Sequence, residues 1–377
     1  MIFKKDDRAD LAVIGAGIVG CAIAENLASC HPDKKVIVFE KLPRPGLEAS
    51  QFNSGVLHSG FHENPKFIKA QLARRGSKMA IEHLRKSGFR TLDCGMIIAV
   101  SRKELLANLL AGALPFCSLL KRGLENKIHY QFLTRFALKK LEPQLEALGG
   151  IYIPGVSVVD PGQFTAALFN RARQNGAAFF FNAEVKKMDL IGNSYRIVAG
   201  DNEFIADAVI NSAGLYADEV AALAGFSGNR IFPWRGEYYE VVTEKRSLIR
   251  HLVYPVVGRR ALSKGIHFSP RVDGRLFVGP NARPVPSKKY YTEDKTPVDV
   301  FCNAARLFYP QIKEEDLKWG YSGIRPKLTA DSGSSDFGIF IDRKLPPFVN
   351  LIGIDSPGLS SAMAIAEYVA GLLDGWL

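Results

Sequence analysis

The chain has 377 residues, 47% hydrophobic and 23% charged, and its 49 Lys and Arg against 38 Asp and Glu leave a formal net charge of +11. That size and balance describe an ordinary globular protein with room for two domains and a sizeable core, without low-complexity tracts or internal repeats. The positive excess has three readings: nucleic acid, an anionic membrane surface, or anionic ligands. Lys and Arg are dispersed apart from short clusters such as Lys69–Arg75 and Lys121–Arg122, and no basic motif interleaved with aromatics points to nucleic acid. A solvated surface, an acidic substrate and peripheral membrane contact stay open. The five cysteines form no CxxC pair, which argues against a disulfide framework or a zinc site and fits a reducing, cytoplasmic compartment. The opening MIFKKDDRAD is too polar for a signal peptide. The C-terminal AMAIAEYVAGLLDGWL, interrupted by Glu367 and Asp374, reads as a buried or docking helix rather than a membrane span.

In chain order, the first element is a buried strand running into Ala12–Gly20, AVIGAGIVG, then a helix and a second strand, VIVFE, ending at Glu40. Gly15 permits the tight turn, Gly17 the approach of a pyrophosphate to the backbone, and Gly20 close packing of helix on strand. Phosphates then meet the helix N-terminus, and Glu40 is placed to accept from a ribose diol. The loop Lys41–Gly60, rich in Gly, Ser and Asn, precedes a helix near Asn64–Lys86. Arg90–Val100 reads as a strand, Glu104–Arg122 has helical spacing, and Pro161–Asn175 is a helix with Asp160 as N-cap and Pro161 at its first position. Glu184-Val185 ends a strand. Phe204–Gly225 is a strand, a Ser212-Ala213-Gly214 turn and a helix. Strands follow at Gly236–Thr243, His251–Val256, Gly265–Pro270 and Arg275–Val278. Phe348–Leu373 closes the chain with a strand, a Pro-Gly turn and a helix starting near Gly358, whose positive end suits a flavin N1/C2=O. Three strand–turn–helix approaches along the chain describe an extended FAD rather than NAD.

The segments EASQFNSGVLHSG (Glu48–Gly60), RGEYYEV (Arg235–Val241), VYPV (Val253–Val256), GIHFSPRVDGRLFVGPNA (Gly265–Ala282), GYSGIRPKL (Gly320–Leu328) and GIDSPGLSSAMAIAE (Gly353–Glu367) carry a resemblance over nearly the whole chain. The chain resembles the FAD-dependent oxidoreductases of the D-amino-acid-oxidase/glycerol-3-phosphate-dehydrogenase superfamily, and within it is most similar to L-2-hydroxyglutarate dehydrogenases/oxidases. The expected fold is α/β: a discontinuous Rossmann-like FAD-binding domain (1–95, 150–230 and 320–377) and an antiparallel-sheet substrate domain (96–149 and 231–319). The resemblance implies cofactor contacts at Gly15, Gly17, Ile18, Gly20, Glu40, Lys41, Ser50, Asn53, Ser54, Gly55, Val185 (backbone, beside the adenine), Ala213, Gly214, Gly323, Pro357, Gly358 and Leu359. No metal is expected.

Oxidising a 2-hydroxy acid to the 2-keto acid needs a holder for the carboxylate, a base for the hydroxyl proton, and the Cα hydrogen facing flavin N5. Arg325, read as lying on a loop entering the cofactor domain, offers a bidentate fork for the carboxylate, as the resemblance also implies; Lys327 is a candidate second cation. His267 is taken as the base and His58 as the group orienting flavin or substrate, with their roles exchangeable and an acidic limb expected between roughly pH 5 and 8. His62 stands where glycerol-3-phosphate enzymes carry an arginine and hydroxyglutarate enzymes an aromatic. Tyr254, Tyr238 and Asn281 are candidate pocket residues. The expected partners are a small anionic substrate, most of all L-2-hydroxyglutarate, and an electron acceptor, quinone or oxygen. Glycerol 3-phosphate or a secondary amine is the alternative substrate. A flavin-fold binding protein without redox chemistry has no need of both histidines and Arg325 together.

Overall fold

A computed structural model describes residues 8–103, 105–106, 114–257, 263–331, 335–342 and 346–377. The first sheet is mostly parallel. Arg8–Ile14 lies between Asn202–Asn211 and Val36–Phe39, with Ala178–Phe180 beyond the latter and Phe348–Ile352 beyond the former, edged by antiparallel Gly338–Asp342. A hairpin, Val185–Ile191 with Ser194–Ala199, is added to Asn202–Asn211. The central strands are buried on both faces and largely apolar, as a sheet covered on both sides requires, with Asn211 and Asn350 bonded to each other among them. Helices Ile18–Cys30, Pro161–Gln174 and Gly358–Leu372 pack on one face through Ala, Leu and Ile. Ile68–Lys86 crosses the last of these so closely that a Cβ at Gly76 would fall 2.4 Å from the Ser360 carbonyl oxygen. Asp160 caps its helix as expected, accepting from the Gln163 N–H at 2.8 Å.

The second sheet runs Arg283–Pro284, Phe232–Val241, Leu276–Val278, Phe268–Pro270, Leu252–Pro255, Met96–Val100, Gly149–Ile153, Gln131–Thr134, with Leu317–Lys327 also paired to Phe232–Val241. It is mixed rather than purely antiparallel, because Leu252–Pro255 runs parallel to Met96–Val100. Its strands alternate: Ile97, Val253 and Tyr239 enter one core with Phe301 and Phe308, while Met96, Ile98 and Tyr254 face the other way.

Several expected boundaries move. Gly149–Ile153 and Leu317–Lys327 belong to the second sheet, so residues near 150 and 320 are not where the chain crosses between sheets. Val185 opens a strand instead of ending one. Leu114–Glu125 is helical and extends the expected helix past Arg122, while residues 104 and 107–113 of that expectation lie outside the described residues. Among the described residues no helix is long and apolar enough to cross a membrane.

Candidate active site

One cavity of about 960 Å³ runs from the C-terminal ends of the first sheet's strands to the face of the second sheet that carries Tyr254. Its first half is built by the glycine turn. Gly15 has φ +98°, and a Cβ there would meet the Ser212 carbonyl oxygen at 2.8 Å; one on Gly20 would lie 1.9 Å from the Gly15 carbonyl oxygen. Gly17 caps the helix without a side chain, and Ser50 Oγ accepts from the Ile18 N–H at 2.8 Å. Both carboxylate oxygens of Glu40 accept backbone N–H groups, from Ala16 at 2.8 Å and Leu42 at 2.9 Å, which ties the glycine turn to the next loop. Burial raises its pKa, and those two N–H groups oppose the rise. Lys41 pairs with Glu48 at 3.2 Å and lies over the Tyr216 ring.

Asn53, Ser54, Val185, Ala213, Gly214, Pro357, Gly358 and Leu359 line the same cavity. Gly20 and Gly55 do not: Gly20 serves the packing of helix on turn, and a Cβ on Gly55 would strike the Val159 carbonyl oxygen at 2.2 Å. Gly323 lines the cavity, and its lack of a side chain lets the second sheet approach the Phe52 carbonyl oxygen.

The other half gathers four rings. His267 precedes the strand Phe268–Pro270 rather than lying within it. Its ring stacks on Tyr254 with centroids 3.7 Å apart, and Tyr254 also faces His62 at 5.6 Å and His58 at 6.3 Å. His267 Nδ1 lies 2.9 Å from the Gly265 carbonyl. A carbonyl only accepts, so Nδ1 carries the proton and the neutral ring leaves Nε2 as an acceptor. That Nε2, the Tyr254 hydroxyl and His62 Nε2 are buried without hydrogen-bond partners. Burial, the largest cause, pushes the pKa of His267 and of His62 down to about 3 and holds that of His58 well below the imidazole range, with the Lys264 charge adding to all three. The limb expected between pH 5 and 8 therefore moves to lower pH for His267, because a ring this buried stays neutral throughout that range. His58 is fastened through its backbone: its N–H donates to Ser360 Oγ at 2.8 Å.

Arg325 is not on a loop. It lies in Leu317–Lys327, opposite Trp234 on the neighbouring strand. Its guanidinium rests against Gly236, where a Cβ would fall 2.5 Å from Nη2, and it donates to the Asn281 carbonyl at 3.2 and 3.3 Å. The Asn281 side chain is engaged elsewhere and is not turned to the cavity. Its amide nitrogen donates to Glu237 Oε2 at 3.0 Å, and its Oδ1 accepts from the Glu237 N–H at 2.8 Å. Strand alternation explains RGEYY. Gly236 and Tyr238 face the cavity, while Arg235 and Glu237, fully buried and 3.3 Å apart, hold the 290–296 loop from behind.

Lys327 lines the cavity half-buried, its pKa lowered by burial. The sequence reading missed a group of charges around it. Lys69, placed there in a short basic cluster, is 3% exposed and lies 3.7 Å from Glu63 and 3.9 Å from Asp355. Lys264 pairs with Glu63 at 2.9 Å. The available signals were adjacency to His62 for Glu63 and to the GIH segment for Lys264. Arg122 reaches the site from the helix Leu114–Glu125. No cluster among the described residues is suited to a metal ion.

The family of FAD dependent oxidoreductases (DAO) matches residues 10–372. The chain belongs to that family. As an FAD-dependent oxidoreductase it has residues that fit the cofactor: a glycine turn and helix N-terminus at one end, the Gly358 helix N-terminus at the other, and a continuous cavity at the top of the size range of ligand sites. It is 32% identical over 287 residues to the mitochondrial L-2-hydroxyglutarate dehydrogenase of Bos taurus, covering 72% of this chain and 60% of that one. It is 31% identical over 276 residues to L-2-hydroxyglutarate dehydrogenase of Escherichia coli K12, covering 72% and 64%. The chain thus spans less than two thirds of the length of these relatives. Glycerol 3-phosphate dehydrogenase of Caloramator mitchellensis is 27% identical over 367 residues, covering 97% of this chain and 73% of its own. Among solved structures, L-alpha-glycerophosphate oxidase of Mycoplasma pneumoniae with FAD bound superposes with a TM-score of 0.86 at 28% identity, covering 97% and 95%.

Proposed function

We propose that this oxidoreductase converts a 2-hydroxy acid to the 2-keto acid, with L-2-hydroxyglutarate giving 2-oxoglutarate as the preferred case. The observation that carries the reading is the unpartnered Nε2 of His267, held as an acceptor by Gly265 in the same cavity as the Arg325 guanidinium. Arg325 holds the C1 carboxylate with the N–H groups left beside its bond to Asn281. His267 Nε2 takes the hydroxyl proton as the Cα hydrogen leaves with its electron pair. FAD, when bound, supplies the acceptor for that pair. The Tyr254 hydroxyl donates to the substrate oxygen beside the stacked base, and Lys327 adds positive potential. His58 orients the ring end of the cavity. The similarity to the bovine and bacterial hydroxyglutarate enzymes supports this substrate class.

Glycerol 3-phosphate is the second reading, favoured by the Caloramator relative, which matches nearly the whole chain. Anaerobic addition of each compound to the yellow protein separates the two. Bleaching by L-2-hydroxyglutarate and none by glycerol 3-phosphate is the expected result, and the reverse pattern refutes the hydroxy-acid reading. A quinone or oxygen then re-oxidises the flavin; a quinone acceptor goes with peripheral contact at the inner face of a membrane, and assays with each acceptor decide between them.

A further inference from the structure

Two guanidiniums line the substrate end of the cavity without an ion pair among the described residues, those of Arg122 and of Arg325, the latter within the field of the Asp355 carboxylate. The three lysines beside them share two carboxylates. Lys264 and Lys69 share Glu63, Lys69 also faces Asp355, and Asp355 acts on Lys327. A half-buried cation without an ion pair at the wall of a binding cavity is suited to an anion. Arg325 has one in the reading above; Arg122 has none.

The helix Leu114–Glu125 turns Pro115, Ser118, Leu119 and Arg122 toward the cavity, positions that share one helical face. Arg122 Nη1 donates to the His62 carbonyl at 3.2 Å, which anchors the guanidinium at the His62 loop and leaves its remaining N–H groups to pair with a planar anion. His62 Nε2 is buried and unpartnered. From there the rings continue through Tyr254 to His267, so the row joins the base to a second cationic group.

We propose that Arg122 and His62 form a second anion subsite, which takes the distal carboxylate of a substrate whose C1 carboxylate is on Arg325. This rests on the reading of the site as one that oxidises 2-hydroxy acids. A substrate ending in a methyl group leaves Arg122 desolvated and unpaired, which is the basis of discrimination. Glycerol 3-phosphate brings one anionic group to two cationic sites.

The test uses the FAD-loaded enzyme with L-2-hydroxyglutarate, L-2-hydroxyvalerate (the same five-carbon chain ending in methyl) and glycerol 3-phosphate. In Arg122→Gln the kcat/KM ratio of hydroxyglutarate to hydroxyvalerate is expected to fall at least about tenfold, through KM rather than kcat, and Arg122→Lys to restore part of it. An equal loss on both hydroxy acids, or no loss on hydroxyglutarate, overturns the subsite, whereas a wild-type preference for glycerol 3-phosphate overturns the hydroxy-acid reading. Calorimetric titration with glutarate and valerate reads the subsite without turnover. Wild type is expected to prefer glutarate and Arg122→Gln to lose that preference; equal wild-type affinity overturns the proposal. Arg122-dependent glutarate preference in an enzyme that oxidises no 2-hydroxy acid keeps the subsite and removes the reaction.

Discussion

His267 meets the cavity with one ring nitrogen occupied by the Gly265 carbonyl and the other open, and burial keeps the ring neutral. A neutral acceptor already in the right tautomer needs no deprotonation before it works. Flavin reduction by a 2-hydroxy acid is therefore expected to be flat from pH 5 to 8 as far as His267 is concerned, with its acidic limb below that range. Stopped-flow reduction across pH 4–8 checks this, and a limb near pH 6.5 that vanishes in His267→Ala contradicts it. The same substitution should slow the bleaching step about 10²-fold or more, the usual worth of a general base. If His58→Ala produces that loss and His267→Ala does not, the two roles are exchanged. At Arg325 the decisive feature is the number of donors: it serves the Asn281 carbonyl and, in the proposed reaction, a carboxylate. Lysine offers one compact ammonium for both. Arg325→Lys should lower kcat/KM at least tenfold, about 1.4 kcal/mol, with flavin content unchanged. Wild-type kinetics on every active hydroxy acid would remove Arg325 from the site.

At the scale of elements, the glycine turn, its helix and Glu40 were readable because their contacts are local and each glycine answers a particular close approach. A side chain at Gly17 would meet Ser50 Oγ at 3.0 Å, the atom that accepts from the Ile18 N–H. Gly17→Val is expected to purify without stoichiometric flavin, which its absorbance spectrum shows directly. The strand bearing Arg325 was not readable. GYSGIRPK is poor in the β-branched residues that mark strands, and its pairing is with Phe232–Val241, far away in sequence. The same distance hid the Arg122–His62 contact, which spans 60 residues, and the approach of Lys69 to Asp355. At Gly236, paired with Gly323, the two strands meet the cavity. Gly236→Ala places a methyl 2.5 Å from Arg325 Nη2, so the guanidinium must shift while the strand can persist. A higher KM for the hydroxy acid with retained flavin and a retained thermal midpoint is expected; unchanged KM would show that Arg325 tolerates the displacement.

Over the whole molecule, enclosing the site between two sheets buries His58, His62 and His267 together, and that enclosure has a consequence for stability. Each has a pKa below the unfolded value of about 6.5, with burial as the first cause. Below that value the unfolded chain binds protons that the folded chain refuses. The stability these rings contribute is therefore fully present above pH 6.5 and is lost as pH falls toward the folded value, about 3 for His267. Glu25, Glu40 and Asp355 act with the opposite sign, since burial raises their pKa values and the folded state holds their protons more tightly. The net slope of the wild type mixes both sets, so a single substitution isolates the histidine contribution. His267→Asn suits this, because an amide N–H can donate to the Gly265 carbonyl as Nδ1 does while adding no titrating group. The three acids remain in both proteins and cancel in the comparison. Urea unfolding at pH 7 and pH 5 should show the wild type losing more stability than His267→Asn, by up to one proton's linkage, about 1.4 kcal/mol per pH unit. Parallel losses in the two proteins would mean that His267 titrates in the folded state much as it does in the unfolded chain, and that the cavity admits enough water to keep the ring solvated.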